Sequence, residues 1–318
     1  MKTLDQIDAK LEKRTPISSL PFTITQSGSY YFTGNLTLTA ASGDAITVAT
    51  NHVTIDLNGF RLGSLAAVTG SAIVINASLR NIEIKNGVIF GTTTVSVSGS
   101  PSVWTVTPGG FNNGIDALSP GATNCVFRQL RISGCRATGL EARGGAVIEQ
   151  VTATQNGGIG IRALEGSVAN SKSSFNGGSG LVVGGGSVNH CIANFNEGIG
   201  ISADSVSNCT ARGNGFGGIG AVAGSVTNSR AVSNQGVGID AVTGSVTNCT
   251  ATANQSSGIS ASSGTVTNST AINNGLNGIL ATNGVVAFCK ASGNNTSGGS
   301  GVDIEAAGAT RTGNNPAP

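Results

Sequence analysis

The sequence predicts an all-β fold in which short parallel strands wind into a β-solenoid with coils of about twenty residues. A period of twenty residues runs through the segments GSVTNSRAVSNQGVGIDAVT (224–243) and GSVTNCTATANQSSGISASS (244–263). Within each period the apolar residues alternate over short stretches as in β-strands, and Asn/Gly turns separate these stretches. One such unit cannot bury a core alone, but copies stacked about 4.8 Å apart enclose a continuous one.

Three columns of like residues recur at this period, apart from one step of eighteen residues. The first column is apolar: Ile148, Val168, Val188, Val206, Val226, Val246, Val266 and Val286. Eight residues after each of these comes an asparagine: Asn156, Asn176, Asn196, Asn214, Asn234, Asn254, Asn274 and Asn294. Five residues after each of the first seven asparagines comes an isoleucine or leucine: Ile161, Leu181, Ile201, Ile219, Ile239, Ile259 and Ile279. The constant spacing predicts that each column stacks along the solenoid axis.

A second asparagine column comprises Asn170, Asn208, Asn228, Asn248 and Asn268, with Gln150, His190 and Phe288 as departures. Asparagine accepts the left-handed conformation that a sharp turn needs, and stacked amides can bond from coil to coil. Small residues follow this column: Ser171, Cys191, Cys209, Ser229, Cys249, Ser269 and Cys289. We interpret these cysteines as core residues; only Cys191 and Cys209 lie on adjacent coils, close enough for a disulfide.

On these columns the chain resembles the right-handed parallel β-helix proteins of the pectin-lyase-like superfamily, over roughly residues 40 to 310. The resemblance implies a right-handed parallel β-helix. It also implies that an active cleft would lie on the outer face of the sheet whose strands begin with Gly-Ile. The Gly-His-Gly and paired aspartates of the superfamily's hydrolases are not found in the sequence, and neither are the dense acidic clusters of its lyases. The resemblance therefore predicts the fold and leaves the activity open.

The ends of the chain depart from the repeat. We divide the chain, in order, into an N-terminal cap, the parallel β-helix and a frayed tail: 1–40, 41–310 and 311–318. The cap begins with a short capping helix at 3–13, because Thr3 and Gln6 form a capping box, and capping strands follow it. A helix laid across the open end of a solenoid covers its core and its strand edges.

One segment interrupts the winding: TTTVSVSGSPSVWTVTPGGFN (92–112), which is predicted to be a protruding β-hairpin insertion. It holds Trp104, the only tryptophan of the chain. Insertions in solenoids are loops that often lie on the binding face. Three roles stay open for the hairpin: a ligand contact, packing on its own solenoid, or a contact between copies in an oligomer.

Composition limits the function classes. Charged residues make up 10% of the chain and the net charge is +2, which predicts no nucleic-acid partner. No apolar run approaches the roughly 18 residues of a membrane span. The first twenty residues do not form a signal peptide, yet the sparse charge suits an exported protein, so we expect an extracellular or cell-surface location with the leader missing from this sequence.

Candidate site residues lie on the outer side of the Gly-Ile strands. Side chains alternate along a strand, so the residue after each Ile or Leu points outward. This outward column reads Asp116, Glu141, Arg162, Val182, Ser202, Gly220, Asp240, Ser260 and Leu280. Arg143 points the same way, and the 92–112 insertion enters just before Asp116. We therefore predict a ligand-binding cluster of Trp104, Asp116, Glu141, Arg143 and Arg162.

This cluster suits more than one chemistry. Its arginines can neutralise an acidic sugar, and Trp104 can stack on a sugar ring. Two carboxylates that flank a sugar bond can hydrolyse it, which makes Asp116 and Glu141 the candidate catalytic residues. Carboxylates one coil apart can also contribute to a Ca²⁺ site, although no cofactor is otherwise expected. The alternative without a ligand is ion pairing of Glu141 with an arginine on a solvated face.

The sequence is most consistent with polysaccharide recognition at the cell surface or outside the cell, with catalysis left open. Three alternatives remain: a polysaccharide lyase or hydrolase, a structural or adhesin-like stalk, and an ice-binding solenoid. The last rests on outward hydroxyl pairs repeated at coil spacing: Ser225/Thr227, Ser245/Thr247 and Thr265/Thr267. Hydroxyl ladders are also ordinary on solvated sheets.

Overall fold

The computed structural model describes residues 14–65, 67–99, 102–221, 224–305 and 310–313. Within these residues the chain forms 36 β-strands and no helix, so the all-β prediction is confirmed. Apart from one hairpin, the strands form three parallel sheets, here called A, B and C, and each coil contributes one strand segment to each sheet. The predicted capping helix at 3–13 lies outside the described residues, as does the end of the chain at 314–318.

The strands are short, and neighbours in a sheet come from successive coils. Sheet A contains Arg14–Ile17, Gly28–Phe32, Val53–Asp56, Ser167–Ala169, Val226–Thr227, Ser245–Thr247, Thr265–Thr267, Val285–Ala287 and Thr310–Thr312. Sheet B contains Leu36–Leu38, Arg61–Ser64, Lys172–Ser174, Ile192–Asn194, Thr210–Arg212, Arg230–Val232, Thr250–Thr252, Thr270–Ile272 and Lys290–Ser292. Sheet C contains Phe22–Ile24, Ile46–Val48, Ile73–Ile75, Ile115–Ala117, Leu140–Ala142, Ile161–Leu164, Ile219–Gly220, Ile239–Asp240, Ile259–Ser260, Ile279–Leu280 and Ile304–Glu305.

Five longer strands pass around a corner and belong to two sheets. Three of them join sheets A and B: Ile82–Phe90, Val126–Ser133 and Val147–Thr154. The other two join sheets C and A: Leu181–Asn189 and Ile201–Ser207. The remaining two strands, Thr94–Ser98 and Val103–Thr107, pair antiparallel in a separate hairpin.

The strand register stacks like residues on each other, as the repeat predicts. Val246 pairs with Val226 and Val266 in sheet A, and Ile259 pairs with Ile239 and Ile279 in sheet C. These side chains point inward and are fully buried, so they form a continuous core along the axis. Because each strand edge is covered by the next coil, stacking satisfies the backbone hydrogen bonds that a single coil leaves open.

The two asparagine columns differ in burial and in backbone conformation. The second column, represented by Asn228, Asn248 and Asn268, turns the chain from sheet A to sheet B with φ of 48° to 55°. These side chains are exposed. Asparagine tolerates this left-handed conformation better than most residues. The sequence therefore identified the turn residues correctly.

The first asparagine column forms a buried ladder at the corner between sheets B and C. Asn234 shows the pattern: its Nδ2 donates to Asn254 Oδ1 (2.9 Å) and to the Ala211 carbonyl (3.2 Å). Its Oδ1 accepts from the backbone N–H of Asn214 (3.0 Å) and from Asn214 Nδ2 (2.9 Å). The amide-to-amide bonds run unbroken along Asn156, Asn176, Asn196, Asn214, Asn234, Asn254, Asn274 and Asn294. Each amide is satisfied inside the core, as a buried polar group requires.

The ladder ends on a residue that lies outside the twenty-residue pattern. Asp303 Oδ1 accepts from Asn294 Nδ2 (2.6 Å) and from the backbone N–H of Asn294 (3.1 Å). At the other end Asn156 Oδ1 accepts from the backbone N–H of Cys135 (3.1 Å). A carboxylate therefore takes the place of the next asparagine where the repeat stops.

In the column of small residues, serine hydroxyls and cysteine thiols make equivalent hydrogen bonds to the backbone. The Ser229 hydroxyl donates to the Thr227 carbonyl (2.7 Å) and accepts from the Cys209 N–H (3.1 Å). The Cys209 thiol in turn accepts from the Cys191 N–H (3.3 Å). All six cysteines are buried in the hydrophobic core, which confirms the interpretation of the cysteines in this column as core residues, and no disulfide joins Cys191 to Cys209. Burial raises the pKa of the Cys249 thiol to about 11.

Residues near both ends already take part in the winding. Arg14–Ile17 pairs with Gly28–Phe32, and Phe22–Ile24 pairs with Ile46–Val48. Thr310–Thr312 pairs with Val285–Ala287. None of the described residues belongs to a helix that is long and apolar enough to cross a membrane. The divisions at residues 40 and 310 stay predictions.

Candidate functional site

Three of the predicted site residues lie side by side on the outer face of sheet C. Asp116 pairs with Glu141, and Glu141 pairs with Arg162, on three successive coils. Each follows an inward Ile or Leu, which is why the strand alternation turns its side chain outward. We call these three residues the acid–arginine cluster. It places two carboxylates and one guanidinium along the solenoid axis within about 10 Å.

Glu141 is unusually buried for an outward residue, with 9% of its surface exposed. Its Oε1 accepts a hydrogen bond of 2.6 Å from Asn113 Nδ2, and its Oε2 lies 3.9 Å from Arg162 Nη1. Asn113 is held in turn, because its Oδ1 accepts from the backbone N–H of Thr138 (3.1 Å). Asp116 is more open, and its Oδ1 accepts from the Leu118 N–H (3.2 Å). The cluster thus contains one ordered carboxylate and one that is freer to meet a ligand.

The surroundings of Glu141 make it easier to protonate. Burial raises the pKa of its carboxyl above the usual 4.5, the Asp116 carboxylate raises it further, and the Arg162 guanidinium lowers it. Loss of hydration disfavours the charged form, and a like charge on the adjacent coil acts in the same direction. Glu141 therefore binds a proton more tightly than an exposed glutamate does.

We expect this raised pKa to appear as a pH dependence of stability. A carboxyl that binds its proton more tightly in the folded state contributes stability that is fully present below its usual pKa of 4.5. That contribution is lost as the pH rises through the higher pKa of the folded state. The free energy of unfolding of the wild type, minus that of Glu141→Gln, should therefore fall between acidic and neutral pH in denaturant titrations. Asp116→Asn should reduce the fall, and a difference that does not change with pH would contradict the assignment.

Arg143 directly follows the strand of Glu141, Leu140–Ala142, but lines a different surface. It borders a cavity of about 310 Å³ at the corner between sheets C and A, together with Thr123, Leu164 and Glu165. No ion pair joins it to Glu141 within the described residues, whereas Arg162 approaches that carboxylate. The structure therefore brings Arg162 to the acidic pair and leaves Arg143 beside it.

The 92–112 insertion lies along the corner between sheets B and C and does not protrude. One face of the hairpin packs on the solenoid, and Val106 contacts the backbone at Gly157 and Gly177 on successive coils. The opposite face is exposed: Thr94, Ser96, Ser98, Val103, Thr105 and Thr107. Of the three roles left open by the sequence, packing on its own solenoid is observed.

Trp104 belongs to the packed face of the hairpin. A Cβ added at Gly215 would lie 2.9 Å from Trp104 Nε1, and this buried nitrogen has no hydrogen-bond partner in the described structure. Gly215 belongs to the coil of Gly220, which is four coils from Glu141, or about 19 Å at the strand spacing. Trp104 therefore does not cover the acid–arginine cluster.

An arrangement like that of Asn113 and Glu141 recurs at the other end of sheet C. Asn277 Nδ2 donates to Glu305 Oε2 (2.6 Å), and its Oδ1 accepts from the Val302 N–H (2.7 Å). In both pairs the residues are 28 positions apart. Sequence reasoning missed both asparagines. A sequence pattern could have predicted both pairs. In each, an asparagine lies two residues before the inward isoleucine of one coil, and a glutamate directly follows the inward residue of the next coil.

Sequence reasoning also missed an apolar surface farther along sheet C. A cavity of about 230 Å³ is lined there by Ile199, Phe216, Val237 and Asp240. Phe216 is 68% exposed and lies at a turn position that glycine or a polar residue occupies on neighbouring coils. The sequence signal for this surface was a phenylalanine at a turn position that is glycine on both neighbouring coils. Within the described residues, no group of three or more His, Cys, Asp or Glu side chains is placed to hold a metal ion.

The hydroxyl pairs considered for ice binding lie on the outer face of sheet A. The Thr247 and Thr267 hydroxyls are 3.1 Å apart and bond to each other. Their side chains are half-buried. The next coil carries Val285 and Ala287 at these positions, so the hydroxyl lattice ends there.

No protein-family model matches the chain, and no curated protein matches it. Among solved structures it resembles the A-module of the Azotobacter vinelandii mannuronan C-5 epimerase AlgE6, with a TM-score of 0.63, 16% identity, and coverage of 92% of this chain and 91% of that one. The A-module of AlgE4 from the same organism gives a TM-score of 0.58 at 12% identity, covering 90% and 88%. A mutant of the periplasmic alginate epimerase AlgG gives 0.53 at 14% identity, covering 94% and 77%. All three are right-handed parallel β-helix proteins, and this chain shares that fold.

Proposed function

We propose that this protein binds a polysaccharide along the outer face of sheet C, with the acid–arginine cluster as its main polar contact. The observation that carries the proposal is the stacking of Asp116, Glu141 and Arg162 on three successive coils. Carboxylates accept hydrogen bonds from sugar hydroxyls, and a guanidinium donates to hydroxyls or to a sugar carboxylate. A linear sugar polymer laid along the axis meets one such group at each coil.

Two further features support a sugar ligand on this face. The apolar cavity at Phe216 lies on the same sheet, and an exposed aromatic ring beside the Asp240 carboxylate suits a sugar ring with its hydroxyls. The structural neighbours named above are epimerases of mannuronan and alginate, which are polysaccharides. One of them is described as periplasmic, in keeping with our proposal that this protein too is exported.

The side chains have separate roles in this proposal. Glu141 is fixed by Asn113 and presents an ordered acceptor, whereas Asp116 and Arg162 are more exposed and reach the ligand directly. If Ca²⁺ takes part, Asp116 and Glu141 supply only two of the six to eight oxygen ligands that it needs, so the polysaccharide and water supply the rest. The ligand roles predicted for Trp104 and Arg143, which lie outside the acid–arginine cluster, stay predictions.

A second candidate function, polysaccharide cleavage, is favoured by one observation. The raised pKa of Glu141 gives the cluster a carboxyl that binds a proton more tightly than usual, and a second acidic side chain, Asp116, lies beside it on the adjacent coil. Pairs of carboxyl groups with different proton affinities serve as acid and base in sugar-bond chemistry. An assay of new reducing ends and unsaturated products on uronate polymers tests this function separately from binding.

The binding experiment uses affinity electrophoresis against a panel of neutral and uronate polysaccharides. We expect Glu141→Gln and Arg162→Ala each to weaken binding about tenfold or more, because a hydrogen bond to a charged group contributes roughly 1.5–3 kcal/mol. Glu305→Gln is the matched control, since Glu305 repeats the asparagine contact at the far end of the sheet. Unchanged binding in both cluster variants would overturn the site. Loss of the same size in Glu305→Gln would show that the effect comes from the fold.

A further inference from the structure

The outer face of sheet B is basic along its whole length. Two outward residues flank each inward residue of this sheet, and the pairing register aligns them in two files. In the first file lie Arg61, Val88, Arg131, Thr152, Lys172, Ile192, Thr210, Arg230, Thr250, Thr270 and Lys290. In the second lie Gly63, Phe90, Ser133, Thr154, Ser174, Asn194, Arg212, Val232, Thr252, Ile272 and Ser292. The two files contain six cations and no carboxylate.

These cations are available to a ligand. All six are exposed: Arg61, Arg131, Lys172, Arg212, Arg230 and Lys290. None of them forms an ion pair with a carboxylate in the described part of the chain, where the ion pairs lie on sheets A and C. Because the whole chain carries a net charge of only +2, this face is a local concentration of positive charge.

Residues of both files line a concave site near the N-terminal end of sheet B. A cavity of about 410 Å³ is lined by Arg61, Phe90, Arg131, Thr152 and Thr154. The guanidinium carbon of Arg61 lies 5.0 Å from the centre of the Phe90 ring. This contact holds the guanidinium over the cavity. Two guanidinium groups and the hydroxyls of Ser133, Thr152 and Thr154 around one cavity are suited to a carboxylate or sulfate group on a sugar.

We propose that the basic face of sheet B binds an acidic polysaccharide that runs along the solenoid axis, with the Arg61–Arg131 cavity as its strongest contact. This face is separate from the sheet C site, and the inference does not depend on that site. From Arg61 to Lys290 the file passes through ten coil steps, or about 48 Å at the strand spacing. The bound chain is therefore a polymer of several sugar residues.

Two observations favour a sugar polymer over a nucleic acid. Successive cations of the first file are two or three coils apart, or about 10–14 Å. Duplex DNA carries a charge every 1.7 Å or so and calls for a denser array. In addition, Phe90 is the only aromatic residue in the two files and Arg61 covers its ring, so neither file offers an open aromatic face on which a base could stack.

The test measures binding of mannuronan, as a long polymer and as a short oligosaccharide, by isothermal titration calorimetry at low and moderate salt. The Arg61→Ala/Arg131→Ala double variant should lose at least tenfold in affinity for both lengths. Arg230→Ala should weaken only the long polymer, because a short chain in the cavity does not reach it. Arg80→Ala removes an exposed arginine outside these files and should bind as the wild type does.

Several outcomes would overturn the proposal. Mannuronan with its carboxyl groups reduced should lose binding, and equal affinity for it would mean that charge is not recognised. Tighter binding of a single-stranded polynucleotide would identify a different occupant. Arg131→Ala alone serves as a second variant because it leaves the Arg61–Phe90 cation–π contact in place. Unchanged affinity in the double variant with a loss in Arg162→Ala would refute this inference and leave the sheet C proposal standing.

Discussion

Replacing Asn234 with alanine is expected to lower the free energy of unfolding by about 4 kcal/mol. The substitution removes four buried hydrogen bonds, two accepted by Oδ1 and two donated by Nδ2. The backbone N–H of Asn214 then lies in the core without that acceptor, where water cannot replace it. Each unsatisfied buried group costs roughly 1–3 kcal/mol. Denaturant titration followed by circular dichroism measures the loss.

The matched control is Asn248, an asparagine at the exposed corner between sheets A and B. Its φ is 55°, and its side chain bonds to Asn228 Oδ1 at 3.3 Å on the surface. Asn248→Ala should cost only about 1 kcal/mol, from the left-handed backbone. Asn248→Gly should cost less, because glycine adopts this conformation freely. Equal losses for Asn234→Ala and Asn248→Ala would contradict the distinction between the two asparagine columns.

Gly238→Ala is expected to destabilise the protein by about 3 kcal/mol, at the upper end of what overpacking of a core costs. An added Cβ would lie 2.5 Å from Asn254 Nδ2 and 2.5 Å from the Gly258 carbonyl oxygen. Neither group can yield easily, since the first belongs to the buried ladder and the second to the backbone of the next coil. This close approach explains why glycine precedes the inward isoleucine in coil after coil.

Gly220 in sheet C provides the control for this prediction. The nearest heavy atom to a Cβ at Gly220 is the Ile201 carbonyl oxygen at 4.0 Å, so alanine has room there. Gly220→Ala should leave stability unchanged or raise it by about 0.5 kcal/mol, because alanine reduces the entropy of the unfolded chain. A similar loss in both variants would mean that contact with the ladder is not what requires glycine at 238.

The acid–arginine cluster shows how far a repeat carries a prediction about a site. Asp116, Glu141 and Arg162 could be placed on neighbouring coils, because each follows an inward residue of one column. The residue that donates a hydrogen bond to Glu141 could not be predicted in this way. Asn113 lies 28 residues away, at a position where most coils have a different residue. The burial of Glu141 depends on the residues packed around it from adjacent coils, and its raised pKa depends on that burial and on Asp116. No local pattern contains this information.

The 92–112 insertion illustrates a second limit. Its alternating residues predict a hairpin, because side-chain alternation is a local property of strands. Whether a hairpin stands away from the solenoid or lies on it depends on the surface below. Here the glycines at positions 157, 177 and 215 leave room at the corner for Val106 and Trp104. Trp104 consequently lies four coils from Glu141, although the sequence predicted both residues in one cluster.

The sequence by itself determined the solenoid, its apolar inward columns and the residues at its sharp turns. It could do so because every coil repeats the same local choices, and identical coils bury a core only by stacking in register. Tertiary structure alone decided which asparagine column faces inward, what holds Glu141, where the hairpin lies, and that the cations of sheet B meet on one face. These features depend on contacts between coils or between distant segments, and the same residue type is compatible with either arrangement until its neighbours are in place.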